Sequence, residues 1–191
     1  MQYSIYAEST PNPEVMKFVA NKSLFNKDIT LNSAEEASEI PIAKLLFNFS
    51  FIKSIFLSNN FIAITKEDFA DWGEIAMQIR TFISEHLNEK GEQEIMINYP
   101  KEKSKKHSPS SKDNLTDTEK KIQQILDEYI KPAVESDGGS ITLDSFKKGV
   151  VTVIMQGACS GCPSSTITLK QGIESILKQK IGEEIVEVCA K

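Results

Sequence analysis

The chain has 191 residues, 40% apolar and 26% charged, with a formal net charge of −5. That balance excludes collagen-like, disulfide-dense and wholly disordered classes. No apolar run approaches the 18 residues of a membrane-spanning helix.

The start, MQYSIYAEST, has neither the basic-then-apolar pattern of a secretory signal nor the Arg- and Ser-rich character of a transit peptide. The expected location is therefore the cytoplasm of a bacterium, or the mitochondrial matrix if a presequence has been removed. Cysteines stand only at 159, 162 and 189, too few for a disulfide scaffold, which points to a reducing compartment. Residues 1–100 carry a charge of −6, residues 101–114 carry +3 and residues 115–191 carry −2. Both long segments are acidic, so neither nucleic acid nor membrane is an expected partner. Arg80 is the one arginine, so arginine clamps on phosphate are not a main theme.

Residues 2–9 alternate and are aromatic and β-branched, which predicts a strand. Thr10-Pro-Asn-Pro13 predicts a turn, since two prolines forbid both helix and ladder. Residues 15–21 predict a second strand and 28–31 a shorter one. Residues 33–39 have helix-start chemistry, and Pro41 opens a helix over 42–47. Residues 52–58 and 61–66 flank Asn59-Asn60 as a hairpin. Residues 71–88 form an amphipathic helix with Trp72, Ile75, Ile79, Phe82 and Ile83 on one side, so Trp72 reads as core rather than as a binding anchor. Residues 99–114 are rich in Lys, Ser and Pro. They read as a solvated linker with a span of roughly 20 Å as a flexible coil.

Beyond it, Thr116-Asp-Thr-Glu119 fits a capping box. Ile122, Ile125, Leu126, Tyr129 and Ile130 follow at helical spacing, and Pro132 should bend the helix near its end. Asp137-Gly138-Gly139 stops it. Residues 140–145 and 150–155 predict a hairpin joined through Lys147-Lys148-Gly149. A loop, 156–162, precedes a helix from Pro163 to about Ile181 with Leu169, Ile173, Ile176 and Leu177 inside. Residues 185–189 make a last strand. The expected fold class is α+β in two small domains: a mixed α/β domain over 1–98, the linker, and a compact α-β-β-α-β domain over 115–191.

The chemical signal is Gly157-Ala-Cys159-Ser-Gly-Cys162-Pro163. Two intervening residues let both sulfurs address one atom. Gly157 and Gly161 let backbone N–H groups approach closely, and Pro163 places Cys162 at or beside a helix N-cap, where the dipole favours a thiolate. This predicts a reactive, surface-near pair. A redox dithiol, a metal-ligand pair and two unrelated small residues remain open on the motif alone. An iron–sulfur cluster or structural zinc usually takes four ligands. The second domain has no histidine, since His86 and His107 precede it, so two chains facing across an axis would be needed to supply four thiolates. Cys189 lies outside any ligand spacing and reads as incidental.

Residues 115–191 resemble the C-terminal domain of NifU and Nfu iron–sulfur cluster proteins, on Ile130-KPAVESDGGSIT-Leu143 and Val153-IMQGACSGCPSSTITLKQGI-Glu174. Residues 8–90 resemble the N-terminal domain of Nfu proteins, on Glu8-STPNPEVMK-Phe18, Ile42-AKLL-Phe47, Ser54-IFLSNNFIAIT-Lys66 and Asp71-Trp72. Ser140 departs from the acidic residue usual in the family after Asp-Gly-Gly, without loss of a ligand. The resemblance implies a scaffold or carrier, not an enzyme. It would hold a [4Fe–4S] cluster, with [2Fe–2S] as the alternative, through Cys159 and Cys162 of each subunit of a homodimer. Its implied partners are the upstream cluster-assembly machinery and apo iron–sulfur proteins as clients. The cysteine-free N-terminal domain would serve docking. Thiol–disulfide oxidoreductase and copper or zinc chaperone are the competing readings.

Overall fold

The computed structural model describes residues 2–90, 116–160 and 163–191, with 163–166 described as backbone. The linker 99–114 and Cys162 lie outside the described residues. The chain divides into two units, residues 1–99 and 100–191. The fold is α+β in both.

In the first unit, alternating apolar stretches form β1 (Ile5–Ser9), β2 (Val15–Ala20), β3 (Ile29–Leu31), β4 (Ile52–Ser58) and β5 (Phe61–Lys66). They pair antiparallel in the order β1-β2-β5-β4-β3. The two residues between Ser58 and Phe61 close the β4–β5 hairpin, with Asn59 at φ 33°. Asparagine tolerates this backbone region better than other non-glycine residues. Helices α1 (Pro41–Leu46) and α2 (Trp72–Lys90) pack Ile42, Leu46, Ile79, Ile83 and Leu87 against Phe18, Ile55, Leu57, Ile62 and Ile64. Trp72 joins this core, edge-on to Phe18 at 6.2 Å between ring centroids.

Residues 33–39 do not start a helix. They make isolated turns, such as Ala37 N to Ser33 O at 3.2 Å and Ile40 N to Ala37 O at 2.9 Å. Pro41 holds the preceding Ile40 extended, at φ −120° and ψ 94°, so the turns cannot join α1. Seven residues on their own do not repay helix nucleation.

In the second unit, α3 (Asp117–Ile125) leads into a π-helical turn, Leu126–Ile130, and then α4 (Lys131–Ser136). Pro132 has no N–H for residue 128 and its ring crowds that carbonyl, so the extra residue in the turn before it relieves the conflict. The π turn also realigns the core face. Ile122, Leu126, Ile130 and Val134 recur every four residues and all are buried. On an unbroken α-helix that spacing drifts about 40° per step. Tyr129, which the helical spacing placed with them, is instead 44% exposed, under the Lys180 ammonium at 4.4 Å.

Strands β6 (Gly139–Lys147) and β7 (Val150–Gly157) form an antiparallel hairpin, and β8 (Glu187–Ala190) adds to β7 in parallel. The hairpin turns through Lys148 (φ 51°) and Gly149 (φ 84°). A Cβ on Gly149 would come within 2.5 Å of Val186, so the position excludes a side chain twice over. Helix α5 (Pro163–Ile181) covers the sheet with Ile173 and Leu177 fully buried and Leu169 and Ile176 partly so.

The predicted capping box is formed. Thr116 Oγ1 accepts from Glu119 N at 3.3 Å, and Glu119 Oε2 accepts from Thr116 N at 2.8 Å. These bonds from Thr116 hold the Glu119 carboxyl below its ordinary pKa. Thr116→Ala should cost the second unit about 1 kcal/mol in urea denaturation at pH 7. The difference from the parent should shrink as pH falls below 4.5, because protonated Glu119 accepts more weakly.

Candidate functional site

The β6–β7 hairpin delivers its end to the cysteine motif. Gly139 opens β6 directly opposite Gly157, which ends β7 at φ 68°. The chain then makes a 3-10 turn, Ala158–Ser160, before α5 begins at Pro163. Two hydrogen bonds tie the turn down. Ala158 N donates to Gly138 O at 3.1 Å, and Ser160 Oγ donates to Gly157 O at 2.8 Å.

Gly139 is the floor of this arrangement. A Cβ there would lie 2.8 Å from Cys159 Sγ and 2.7 Å from Gln156 O. Glycine is required because the sulfur and the neighbouring strand occupy that space, which overpacking would disrupt. The Asp137-Gly138-Gly139 sequence, which local reading treats as a helix stop, is thus part of the cysteine's environment. Its sequence signal was the glycine pair at a strand start, where one glycine would suffice for a turn.

Cys159 does not lie near the surface. It is only 6% exposed and joins the core cluster with Met155 and Val153. Burial, and secondarily the charge of Asp137, pushes its thiol up to about 11. The expectation of a surface-near, readily ionised pair is overturned for Cys159, because strand backbone and the apolar core cluster bury it. Cys162 lies outside the described residues.

Cys189 sits on β8 opposite Thr152, five positions before Gly157 on β7. That is roughly 16 Å along the strand from the motif end. Its neighbourhood is the exposed pair of Lys170 Nζ and Glu187 Oε1 at 2.9 Å. Among the described residues no three of His, Cys, Asp and Glu are grouped to hold a metal ion.

Residues 5–90 match the family model for "Scaffold protein Nfu/NifU N terminal", and residues 122–189 match the "NifU-like domain". The chain belongs to the Nfu/NifU family. Its relatives include the protein named NFU1 iron-sulfur cluster scaffold homolog, mitochondrial, of Drosophila willistoni, 35% identical over 94% of this chain and 61% of its own length. The counterpart of the same name in Drosophila grimshawi is 34% identical over 94% of this chain and 59% of its own. The chain thus spans about three-fifths of the length of these curated relatives. A solved NifU-like protein from Saccharomyces cerevisiae aligns with 50% of this chain and 87% of its own, at 21% identity and a TM-score of 0.44. The CxxC motif falls inside the second matched range, and residues 5–90 of the cysteine-free first unit make up the first.

The buried thiol makes two outcomes measurable. An unfolded cysteine ionises near its ordinary value of 9.0 and the folded Cys159 only near 11, so the unfolded state loses its proton first as pH rises. Stability from this group is complete below pH 9 and fades as pH climbs to 11, by about 3 kcal/mol in all. Urea denaturation of the parent against Cys159→Ala, from pH 8 to 11, should show that differential. Gly139→Ala should destabilise the second unit by about 1–3 kcal/mol. In a Cys162→Ser, Cys189→Ser background it should also raise the iodoacetamide rate at Cys159, because the sulfur must leave its seat.

Proposed function

We propose that this chain carries an iron–sulfur cluster as cargo, taking it from upstream assembly machinery and passing it to apo iron–sulfur proteins. The observation that carries the reading is the NifU-like match over 122–189, which contains both cysteines of the CxxC motif. The relatives' names, as iron–sulfur cluster scaffold homologs, support it. Cys159 and Cys162 of each subunit would supply the four thiolates of a [4Fe–4S] cluster between two chains.

Cluster ligation needs deprotonated thiols. In the unloaded chain Cys159 is held neutral and covered, which protects it from oxidation through the thiolate. Loading would require Cys159 to give up its proton. A carrier gains from a ligand that has a stable apo position, because release of cargo leaves no exposed thiolate. The role is that of a carrier rather than a catalyst. The names of the relatives place them in the mitochondrion, so the mitochondrial matrix stands beside the bacterial cytoplasm as the working compartment.

The dithiol-oxidoreductase reading would have to use Cys162 as its attacking thiol, since Cys159 is buried with a raised pKa. A copper or zinc chaperone remains chemically distinct in its metal content. Anaerobic purification followed by metal and sulfide analysis decides among the three. About four irons and sulfide per dimer, lost in Cys159→Ser together with the dimer peak in sedimentation, is the expected result. Copper or zinc without sulfide would establish the chaperone. Retention of iron in Cys159→Ser would overturn the site, and redox activity surviving aerobic handling without iron would establish the oxidoreductase.

A further inference from the structure

Among the described residues the first unit has an open sheet edge. In the order β1-β2-β5-β4-β3, β1 has a neighbour on one side only. Asn21 N donates to Ser4 O at 3.1 Å, and Ser4 N donates to Asn21 Oδ1 at 3.1 Å. Ser4 therefore turns its backbone toward β2. By antiparallel alternation, Tyr6 and Glu8 do the same, while Tyr3, Ile5, Ala7 and Ser9 turn theirs outward.

Helix α2 closes the start of that edge. The Asn88 amide acts as one rung, accepting from Tyr3 N at 2.7 Å and donating to Tyr3 O at 3.1 Å. Arg80 Nε donates to Ile5 O at 2.7 Å. Past this point the outward groups of Ala7 and Ser9 and the N–H of Ile5 meet no partner among the described residues. Ala7 is small and exposed, and none of the usual guards, a lysine, a proline or a bulge, stands within β1.

Arg80, which reaches the Ile5 carbonyl, and Met77 beside it project from α2 at this edge. Arg80 is half-buried, and no carboxylate pairs with it among the described residues. Its Nη1 reaches only Met77 Sδ, at 3.6 Å. Met77, one turn earlier, is 63% exposed. On the opposite face of β1, Tyr6 is 59% exposed and Glu8 is held by Lys17 at 3.6 Å.

We propose that the outer edge of β1, from Ile5 to Ser9, takes an extended acidic peptide segment of a partner protein as an added strand, with its carboxylate on Arg80 and an apolar side chain on Met77. Strand addition supplies affinity through the backbone rungs and selectivity through alternate side chains. The carboxylate falls on the α2 side, where Arg80 stands, whereas the other face presents Glu8 already paired with Lys17. The basic segment 101–114 has the wrong charge to fill this site, and occupation by residues 91–99 would show as protection of the Ala7 and Ser9 amides before any peptide is added. Neither cysteine nor iron enters the proposal, so it stands or falls separately from the cluster reading.

The test is an NMR titration of the iron-free full chain with the capped peptide TVTVEVT, and with TVTVKVT as control. The expected result is that the acidic peptide shifts the Ala7 and Ser9 amides and slows their exchange, while the lysine peptide binds about threefold to tenfold more weakly. Ala7→Pro should abolish binding with the β1–β2 ladder intact, since the Ala7 N–H points away from β2. Arg80→Gln, which leaves Ala7 unchanged, should erase the difference between the two peptides. Equal affinity for both peptides in the parent chain, or no shift at millimolar peptide, would overturn the proposal. So would Ala7 and Ser9 amides already protected in the free chain, because a segment of this chain or a second copy would then hold the edge.

Discussion

The second unit depends on one close approach, that of the Gly139 backbone to the Cys159 sulfur. The contact is possible only without a side chain at 139, and it ties the start of β6 to the turn after β7. Around it the hairpin register, the helix stop at residues 137–138 and the 3-10 turn are mutually constrained. The Ala158-to-Gly138 bond and the Gly139–Gly157 pair lie within two residues of the sulfur. A displaced Cys159 would disturb all of them. The same contact keeps a candidate ligand neutral and out of solvent, so the chemistry of the motif and the packing of the domain cannot be changed independently.

This gives the CxxC motif a different character from the one its flanking residues advertise. Glycines and a helix N-terminus favour an exposed thiolate, and for Cys159 tertiary burial outweighs them. A helix terminus is worth a fraction of a kcal/mol to about 2 kcal/mol. Burial of an ionised sulfur costs more, and it carries the thiol to about 11. In the proposed carrier role, a thiol covered before loading and ionised on it would suit cargo that comes and goes. The first unit has no part in this chemistry through thiols, since it contains no cysteine. Its distinctive surface among the described residues is instead a sheet edge left half-open beside the chain's one arginine.

Much of the fold could be read locally. The hairpin at Asn59-Asn60, the capping box at Thr116 and the helix start at Pro163 are each written in a few adjacent residues, and each is present. Where local reading failed, a neighbour intervened. Residues 33–39 have helix-start chemistry but are cut off by the constraint of Pro41 on Ile40. Tyr129 fits the apolar spacing of a regular helix, but the π turn that Pro132 favours rotates it outward. The α+β class was legible from periodicity, and the Nfu/NifU membership from the motif stretches of both domains.

By itself the sequence determined most of the strands and helices and the family, because periodicity, caps, turn residues and motifs act over a few positions. Tertiary structure alone decided the strand order, the parallel addition of β8, the outward face of Ala7 and the burial of Cys159. Each of these joins residues far apart in the chain: Gly139 and Cys159 are 20 positions apart, and Ile5 and Arg80 are 75. Such contacts are set by how whole elements pack, and packing depends on all the faces at once rather than on any one stretch of residues.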